Sequence, residues 1–407
     1  MGILIRARVG WLPWLLGLCG ASVDATDWTA SLDLRLVDSN SDRSYLDGGQ
    51  GATRWDRDDA VIQLDRARLS VTQSVGELWS THVDLSAWND RGGSAIGVTE
   101  AWALLRPYPF DALRVRLKTG VFYAPVSLEN RASGWESPYT LTYSAIDSWL
   151  AEEVRTVGSE LQLEWLGTRT GHSFDLAATA AVFGWNETTG VVLANDGFLF
   201  TDRQTPIGGR VGRPGDPPLN AAHPFEQIDG RAGIYGGLEA RYLDRLTFRA
   251  LRYDNRADPS AVDAASHIVA WHTAFTSIGA RLETQNGWTA IAQWLDGTTT
   301  ISPVGFSGDW PYHAEYLLLS RRSGRHTFSA RLDGFRVDVQ HAFDSGRQSG
   351  RALTAAWLFD TTPNLRLGAE WLLIASHSYQ REELYQLSPD TARSQVQLSA
   401  RYTIGSH

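Results

Sequence analysis

The chain reads as an all-β protein, a transmembrane antiparallel β-barrel of about sixteen strands with long external loops. Three observations predict it. The last eleven residues, Ser394 to Ile404, place Val396, Leu398, Ala400, Tyr402 and Ile404 in strict alternation with Gln397, Ser399, Arg401 and Thr403. Residues Trp28 to Val37 repeat the pattern, with Trp28, Ala30, Leu32, Leu34 and Leu36 against Thr29, Ser31, Asp33 and Arg35. A strand with one apolar and one wet face touches two different solvents. Beyond residue 26 no window approaches eighteen consecutive apolar residues, so a chain that crosses a bilayer must do so as a closed barrel, in which every backbone group finds a partner.

The elements follow in order. Residues 1–25 read as a cleaved export signal: Arg6 and Arg8 lead into the apolar run Val9 to Gly20, and Ala21 or Val23-Asp24-Ala25 offers the cleavage point,. Leu18 before Cys19 is too large for a lipidated cysteine. Residues 26–407 then form a single barrel domain. Strands are expected near 28–37, 61–71, 78–88, 97–106, 112–122, 158–167, 173–185 and 233–243. The second half repeats them near 245–254, 267–284, 287–296, 311–322, 325–339, 351–361, 364–374 and 394–404. Sixteen is an even number, and roughly ten residues is the length of a tilted spanning strand.

Links between strands alternate in kind. Asp360-Thr361-Thr362-Pro363-Asn364 presets a tight turn between the Leu353, Ala355, Trp357, Phe359 strand and the Leu365, Leu367, Ala369, Trp371 strand,. Leu243-Asp244-Arg245, Gln285-Asn286-Gly287 and Ser323-Gly324-Arg325 are also short. Long polar links are expected at 38–60, 123–157, 186–232, 297–310 and 375–393. Short turns on one rim and long loops on the other is the outer-membrane asymmetry. The Gly/Pro-rich stretch Asn186 to Gly230 reads as one of the external loops.

Composition agrees. Seventeen Trp and thirteen Tyr in a chain with one Met and one Cys suit an interface between oil and water,. Loss of Cys19 with the signal leaves no disulfide. The net charge of -9, with Lys118 as the only lysine and no basic run, excludes nucleic acid as a partner.

The inner face carries the candidate functional residues. With Leu113, Val115, Leu117 and Val121 facing lipid, Arg114, Arg116 and Lys118 stack toward the lumen as an anion-attracting track,. Arg66 and Arg68 extend it if Ala67, Leu69 and Val71 face lipid. His82 and Asp84, then Glu160, Gln162 and Glu164, Arg331 and Asp333, and Arg366 with Glu370 also point inward.

The segment Gly120-Val121-Phe122-Tyr123-Ala124-Pro125-Val126-Ser127-Leu128-Glu129-Asn130, preceded by Thr99-Glu100-Ala101-Trp102-Ala103-Leu104-Leu105-Arg106, resembles the strand-to-loop region of porins of the phosphate-selective O and P group. The likeness covers mainly residues 61–167. It implies a sixteen-stranded barrel, a trimer, and one loop folded inward to constrict the pore. Tyr123 to Val157 is the candidate for that loop, with Glu129, Arg131, Glu136, Asp147, Glu152, Glu153 and Arg155 available to line it. Within it, Ala145 to Val154 is expected to be a short helix that packs Ile146, Trp149 and Leu150 on the barrel wall. The chain's end departs from common barrels, since Ile404 and not an aromatic closes the last strand.

Enzymatic motifs are missing from the sequence: no Gly-x-Ser-x-Gly elbow, no His-Glu-x-x-His, no phosphate-cradling loop,. His267 and His272 are expected on opposite faces of one strand, and Asp56, Asp58 and Asp59 as a solvated turn, so no metal or other cofactor is implied. The reading is a bacterial outer-membrane porin: a water-filled bore for passive diffusion of small hydrophilic solutes, with anions favoured. The alternatives are a non-conducting barrel (an export or adhesion scaffold, or a hydrolase with its site on the rim) and a secreted β-protein that binds glycans.

Overall fold

The computed structural model describes residues 23–57, 62–90, 96–212, 223–341 and 344–406. Sixteen strands close into one antiparallel barrel in which each pairs with its sequence neighbours and the last pairs with the first. They are β1 Val23–Ser39, β2 Ile62–Val75, β3 Trp79–Trp88, β4 Ile96–Leu105, β5 Leu113–Phe122, β6 Thr156–Trp165, β7 Phe174–Gly184 and β8 Gly233–Tyr242. Then come β9 Leu246–Asp254, β10 His272–Glu283, β11 Trp288–Ile301, β12 Gly308–Ser323, β13 His326–His341, β14 Asp344–Asp360, β15 Leu365–Ser378 and β16 Asp390–Gly405. The seam is set by Ala30 opposite Ile404, Leu32 opposite Tyr402 and Leu36 opposite Leu398, so the two alternating segments of the termini share one lipid-facing surface. Most of the expected signal, residues 1–22, lies outside the described residues, and Val23–Ala25 open β1.

The dyad pattern appears directly as burial. Along β5, Leu113, Val115 and Leu117 are exposed on the outside while Arg114, Arg116 and Lys118 alternate inward. A ten-residue strand such as β3 or β5, tilted about 45°, rises about 23 Å, close to the height of an outer-membrane apolar band. Outward aromatics gather at the short-turn rim: Trp79, Phe174, Tyr242, Trp288, Phe328 and Tyr402 all flank short connections or the chain's end. There they anchor the lower interface. His326 joins this girdle, stacked on Phe359 at 4.5 Å while its Nδ1 accepts from Trp357 Nε1 at 3.1 Å.

The wall is lopsided. Strands β3 to β9 hold 9 to 11 residues and β11 to β16 hold 14 to 17. The tall side corrects two expected loops. Residues 297–310 are largely strand, with only 302–307 between β11 and β12, and 375–393 shrinks to 379–389, which contains the helix α3 Tyr379–Tyr385. Above the lipid the outer face of this wall turns polar, with Asp296, His313 and Glu315 forming one exposed cluster.

The inner face of the same wall departs from a wet bore. Phe275, Ile291, Leu295, Trp310, Tyr312, Leu318, Phe335 and Val337 point inward and are fully covered. Two segments cover them. One is 123–155, with α1 Ala145–Glu153. The other is 186–211, with α2 Val191–Asp196, and this corrects the expectation of an external loop: residues Asn186 to Thr205 are buried apart from Asn195 and Asp196 at the end of α2. The physical reason is composition. Val191-Val192-Leu193-Ala194 and Phe198-Leu199-Phe200 are too apolar for water, and the apolar upper wall receives them. Residues 213–222 of that loop lie outside the described residues.

Candidate functional site

The chain leaves the wall at the end of β5, two residues past Gly120. The φ of Gly120 is +129°, and a Cβ there would lie 2.2 Å from the Ala101 carbonyl oxygen, so only glycine fits against β4. Phe122, Tyr123 and Ala124 then turn into the bore, all buried. The inward segment is tied to strands right round the barrel. Arg249 of β9 donates to the Ser127 carbonyl at 2.9 Å, and Gln293 of β11 both accepts from Leu128 N–H at 3.2 Å and donates to the Val126 carbonyl at 3.0 Å. On β15, Glu370 accepts from Leu141 N–H at 2.6 Å, and on β16 Gln397 donates to Thr142 Oγ1 at 2.9 Å. Across the bore, Arg68 of β2 donates to the Ser133 carbonyl at 2.7 Å.

Arg331 of β13 is the central clamp. Fully enclosed, it donates to Glu129 at 2.8 Å, Asp333 at 2.9 Å and the Thr142 and Tyr143 carbonyls, each at 2.8 Å. Asp333 in turn accepts from Ala145 N–H at the start of α1. Ser144 caps the helix, accepting from Asp147 N–H at 3.2 Å,. Ile146, Trp149 and Leu150 all pack inward, and Trp149 meets Phe275 and Tyr312 edge-on at 5.4 and 5.1 Å,.

The charged residues expected to line a constriction are distributed unequally. Arg131 is half-exposed beside Glu283. Glu129, Asp147, Glu152, Glu153 and Arg155 have no solvent contact, and Glu136 has almost none. Burial and the adjacent Glu129 push the Asp147 carboxyl up, and burial lifts Glu153 to about 7 although four N–H groups donate to it. Those donors are Trp149 Nε1 and the backbone of Gly190, Val192 and Leu193. Arg155 lies over Tyr123 at 4.1 Å and donates to the Ala151 and Thr205 carbonyls. These groups hold the loop together more than they face a passage.

The candidate cation track divides in two. Arg66 and Arg68 lie on the inner face beneath residues 132–136. Arg66 pairs with Asp33 at 2.7 Å and Glu136 at 2.6 Å, and Arg68 pairs with Asp84 and Glu136. Arg401 joins this set through Asp33 and Glu136, and a second buried set beside it links Arg35, Arg54, Asp65, Asp90, Asp202, Arg203 and Glu152. Asp56 is buried too and accepts from Ser44 N–H, which corrects the solvated turn expected there; Asp58 and Asp59 lie outside the described residues. Arg114 and Arg116 are partly exposed on the inner face near the short-turn rim, paired with Glu164 of β6, while Lys118, further along β5 against the Phe122 ring, pairs with Glu160.

Sequence reasoning missed how these pairs are shared. At the short-turn end, four inward carboxylates each serve two arginines. Glu164 takes Arg114 and Arg116; Glu239 takes Arg249 at 2.9 Å and Arg241 at 3.4 Å; Glu283 takes Arg281 at 3.2 Å and Arg131 at 3.8 Å; Asp360 takes Arg366 at 2.6 Å and Arg322 at 3.3 Å. In three of the four the cations stand further into water. Arg114 and Arg116 are 25% and 34% exposed over a Glu164 at 4%. A cavity of about 240 Å³ at this end is lined by Ser31, Arg68, Glu136, Arg366 and Arg401.

His82, Asp84 and Glu100 bring ligand-type atoms within 4.8 Å of one another, but Arg68 already holds Asp84 and Thr72 Oγ1 lies 2.8 Å from His82 Nδ1. His267 sits in a turn with φ +60° ahead of β10, and His272 pairs with Asp254, so the two do not share a strand as expected.

A closed sixteen-stranded barrel with an apolar outer belt, an aromatic girdle and an inward loop is a porin-type barrel of the bacterial outer membrane,. Solved structures agree on the fold. A loop-deletion mutant of OmpT, an outer membrane protein of Vibrio cholerae, matches with a TM-score of 0.53 at 9% identity, over 93% of this chain and 99% of that one. The outer membrane channel DcaP of Acinetobacter baumannii matches with a TM-score of 0.51 at 10% identity, over 95% and 98%. No family model and no curated protein matches the sequence.

Proposed function

We propose that the protein is a porin that passes small hydrophilic solutes down their gradient and favours anions. The observation that carries this reading is the two-to-one sharing of carboxylates at the short-turn mouth. Each shared group leaves a local excess of one positive charge, and the guanidinium edges mostly lie nearer water than the carboxylates beneath them. In a low-dielectric tube such an excess concentrates anions although the whole chain is acidic. The entry segment Gly120–Asn130 supports a relationship to the phosphate-selective O and P group, while the enclosed carboxylates of the loop argue for a broader anion class than phosphate. An outer-wall furrow lined by Ala30, Leu32, Ala67, Leu69, Leu85 and Ile404 suits contact with a second copy in a trimer.

The test is ion selectivity in planar bilayers under a salt gradient. Replacement of Arg114, Arg116 and Lys118 by neutral residues lowers the anion over cation permeability ratio. An unchanged reversal potential refutes the anion preference. A barrel that never conducts favours the scaffold reading, and release of fatty acid from lipid favours the rim hydrolase.

A further inference from the structure

Segment 186–211 traverses the barrel. Asn186 Oδ1 accepts from Tyr253 of β9 at 2.5 Å, and the Thr189 carbonyl accepts from Thr273 of β10. Gln348 of β14 donates to the Asp196 carbonyl at 2.9 Å, and Phe200 N–H donates to the Ala52 carbonyl of the first loop at 2.8 Å. Asp202 pairs with Arg35 of β1 at 2.8 Å, and Ile207 N–H donates to the Val98 carbonyl of β4 at 2.9 Å. With strands in ring order, β10 stands opposite β2, so the chain runs from one wall to the facing one. It lies against the first inward segment: Ser148 Oγ donates to the Thr201 carbonyl at 3.1 Å and accepts from Thr201 N–H at 3.0 Å. The two crossing segments share one apolar core.

The seat is built from two unlike halves. Toward β9–β14 it is dry, with Phe198 fully covered among Trp149, Tyr312 and Phe335. Toward β1–β4 it is ionic: Arg203 pairs with Glu152 at 2.6 Å and Asp90 at 2.8 Å, and Asp202 with Arg35. Such ion pairs gain little over their hydration when formed, yet removal of one partner strands the other in a dry place. At its front end the segment is bounded by Trp185, with φ +60°, and beyond its far end by Gly208, with φ +69°.

We propose that residues 186–205 are a plug that shuts the bore, and that solute passes only when this segment leaves its ionic seat. The inference rests on the porin reading and adds its regulation: conduction is gated, and Arg203 with its partners Glu152 and Asp90 is the latch. The dry half anchors the plug to the tall wall while the latch end releases toward β1–β4, where the charged inner face offers a wet path.

Single-channel recording of the full chain in planar bilayers tests this with three variants. In the first, a short Gly-Ser turn replaces residues 186–230 between β7 and β8. In the second, Arg203→Ala removes the latch. In the third, Gly97→Cys with Pro206→Cys fastens the residue that follows the plug to β4; a Cβ on Gly97 would lie 2.6 Å from that of Pro206, so the disulfide forms once the two backbones ease apart by about 1 Å,. Wild type shows long closures. Arg203→Ala raises the open probability about tenfold or more, the deletion conducts continuously, and the oxidised double-cysteine protein stays shut until dithiothreitol is added. Heat-modifiable migration on gels establishes that each barrel is folded; if the deletion is not, the latch and cross-link variants decide. Steady wild-type conductance that none of the folded variants changes overturns the plug and leaves the porin intact. Silence from every folded variant, the deletion included, overturns the porin reading itself.

Discussion

Arg331 Nη1 lies 2.8 Å from Glu129 Oε1, and neither side chain touches solvent. This pair fastens the inward loop to β13, and Arg331 also donates to the carbonyls of Thr142 and Tyr143. Arg331→Ala leaves Glu129 buried beside Asp147 and costs about 3–5 kcal/mol of stability. The check is urea unfolding of the detergent-solubilised barrel. Replacement of both partners by apolar residues costs less than the single change, and equal losses for the two would contradict the clamp.

Gly134 has φ +68°, and a Cβ there would fall 1.1 Å from the Arg68 guanidinium carbon. Gly134→Ala therefore expels Arg68 from Asp84 and strains the loop, at about 2–4 kcal/mol. Thermal unfolding reads the loss. The same exchange at Gly171, where φ is +85° and no atom lies within 4 Å of the added carbon, costs only the backbone term.

Glu164→Gln frees Arg114 and Arg116 from their shared partner. The expected result is an anion over cation permeability ratio raised about twofold, the opposite of neutralising the arginines. A reversal potential that moves toward cation preference sinks the charge-sharing argument.

The Glu153 carboxyl, lifted to about 7 by burial from an ordinary 4.5, holds its proton more tightly when α1 and α2 are packed than when they part. The groups facing it are Trp149 of α1, the N–H groups that open α2, Asp196 at the end of α2, Tyr253 of β9 and Tyr312 of β12. Stability from this group is complete below pH 4.5 and is lost as pH rises through 7, up to about 3 kcal/mol. Protease nicking within 186–205 should therefore increase between pH 5 and pH 8. Glu153→Gln flattens that dependence, and an unaltered profile in the variant excludes Glu153 as its source.

All sixteen strands were legible because lipid outside enforces alternation: in β5 and in β16 the outward residues leave no choice of register. The helix at Ala145–Glu153 was legible from Ile146, Trp149 and Leu150. The second inward segment was not, since glycine and proline after residue 206 dominate its composition and disguise the apolar residues before it. A signal was present. Leu317, Leu318 and Leu319 run consecutively in β12, with Leu317 and Leu319 exposed outside and Leu318 fully buried inside, so that strand needs an oily cover on both faces. Partner choice was also hidden, because alternation assigns Glu164 to the inner wall but does not report that two arginines converge on it.

The seam between β1 and β16 is braced from within. Arg401 grips Asp33 across it and reaches Glu136 of the loop, while Arg35 donates to Gln397, which holds Thr142. The first and last strands thus bond to each other and to the middle of the chain through the same two side chains, Arg401 and Gln397. Closure of the sheet and seating of the loop therefore complete the same pairs, and a barrel opened at this seam strips Arg35 of Gln397 and Arg401 of Asp33,.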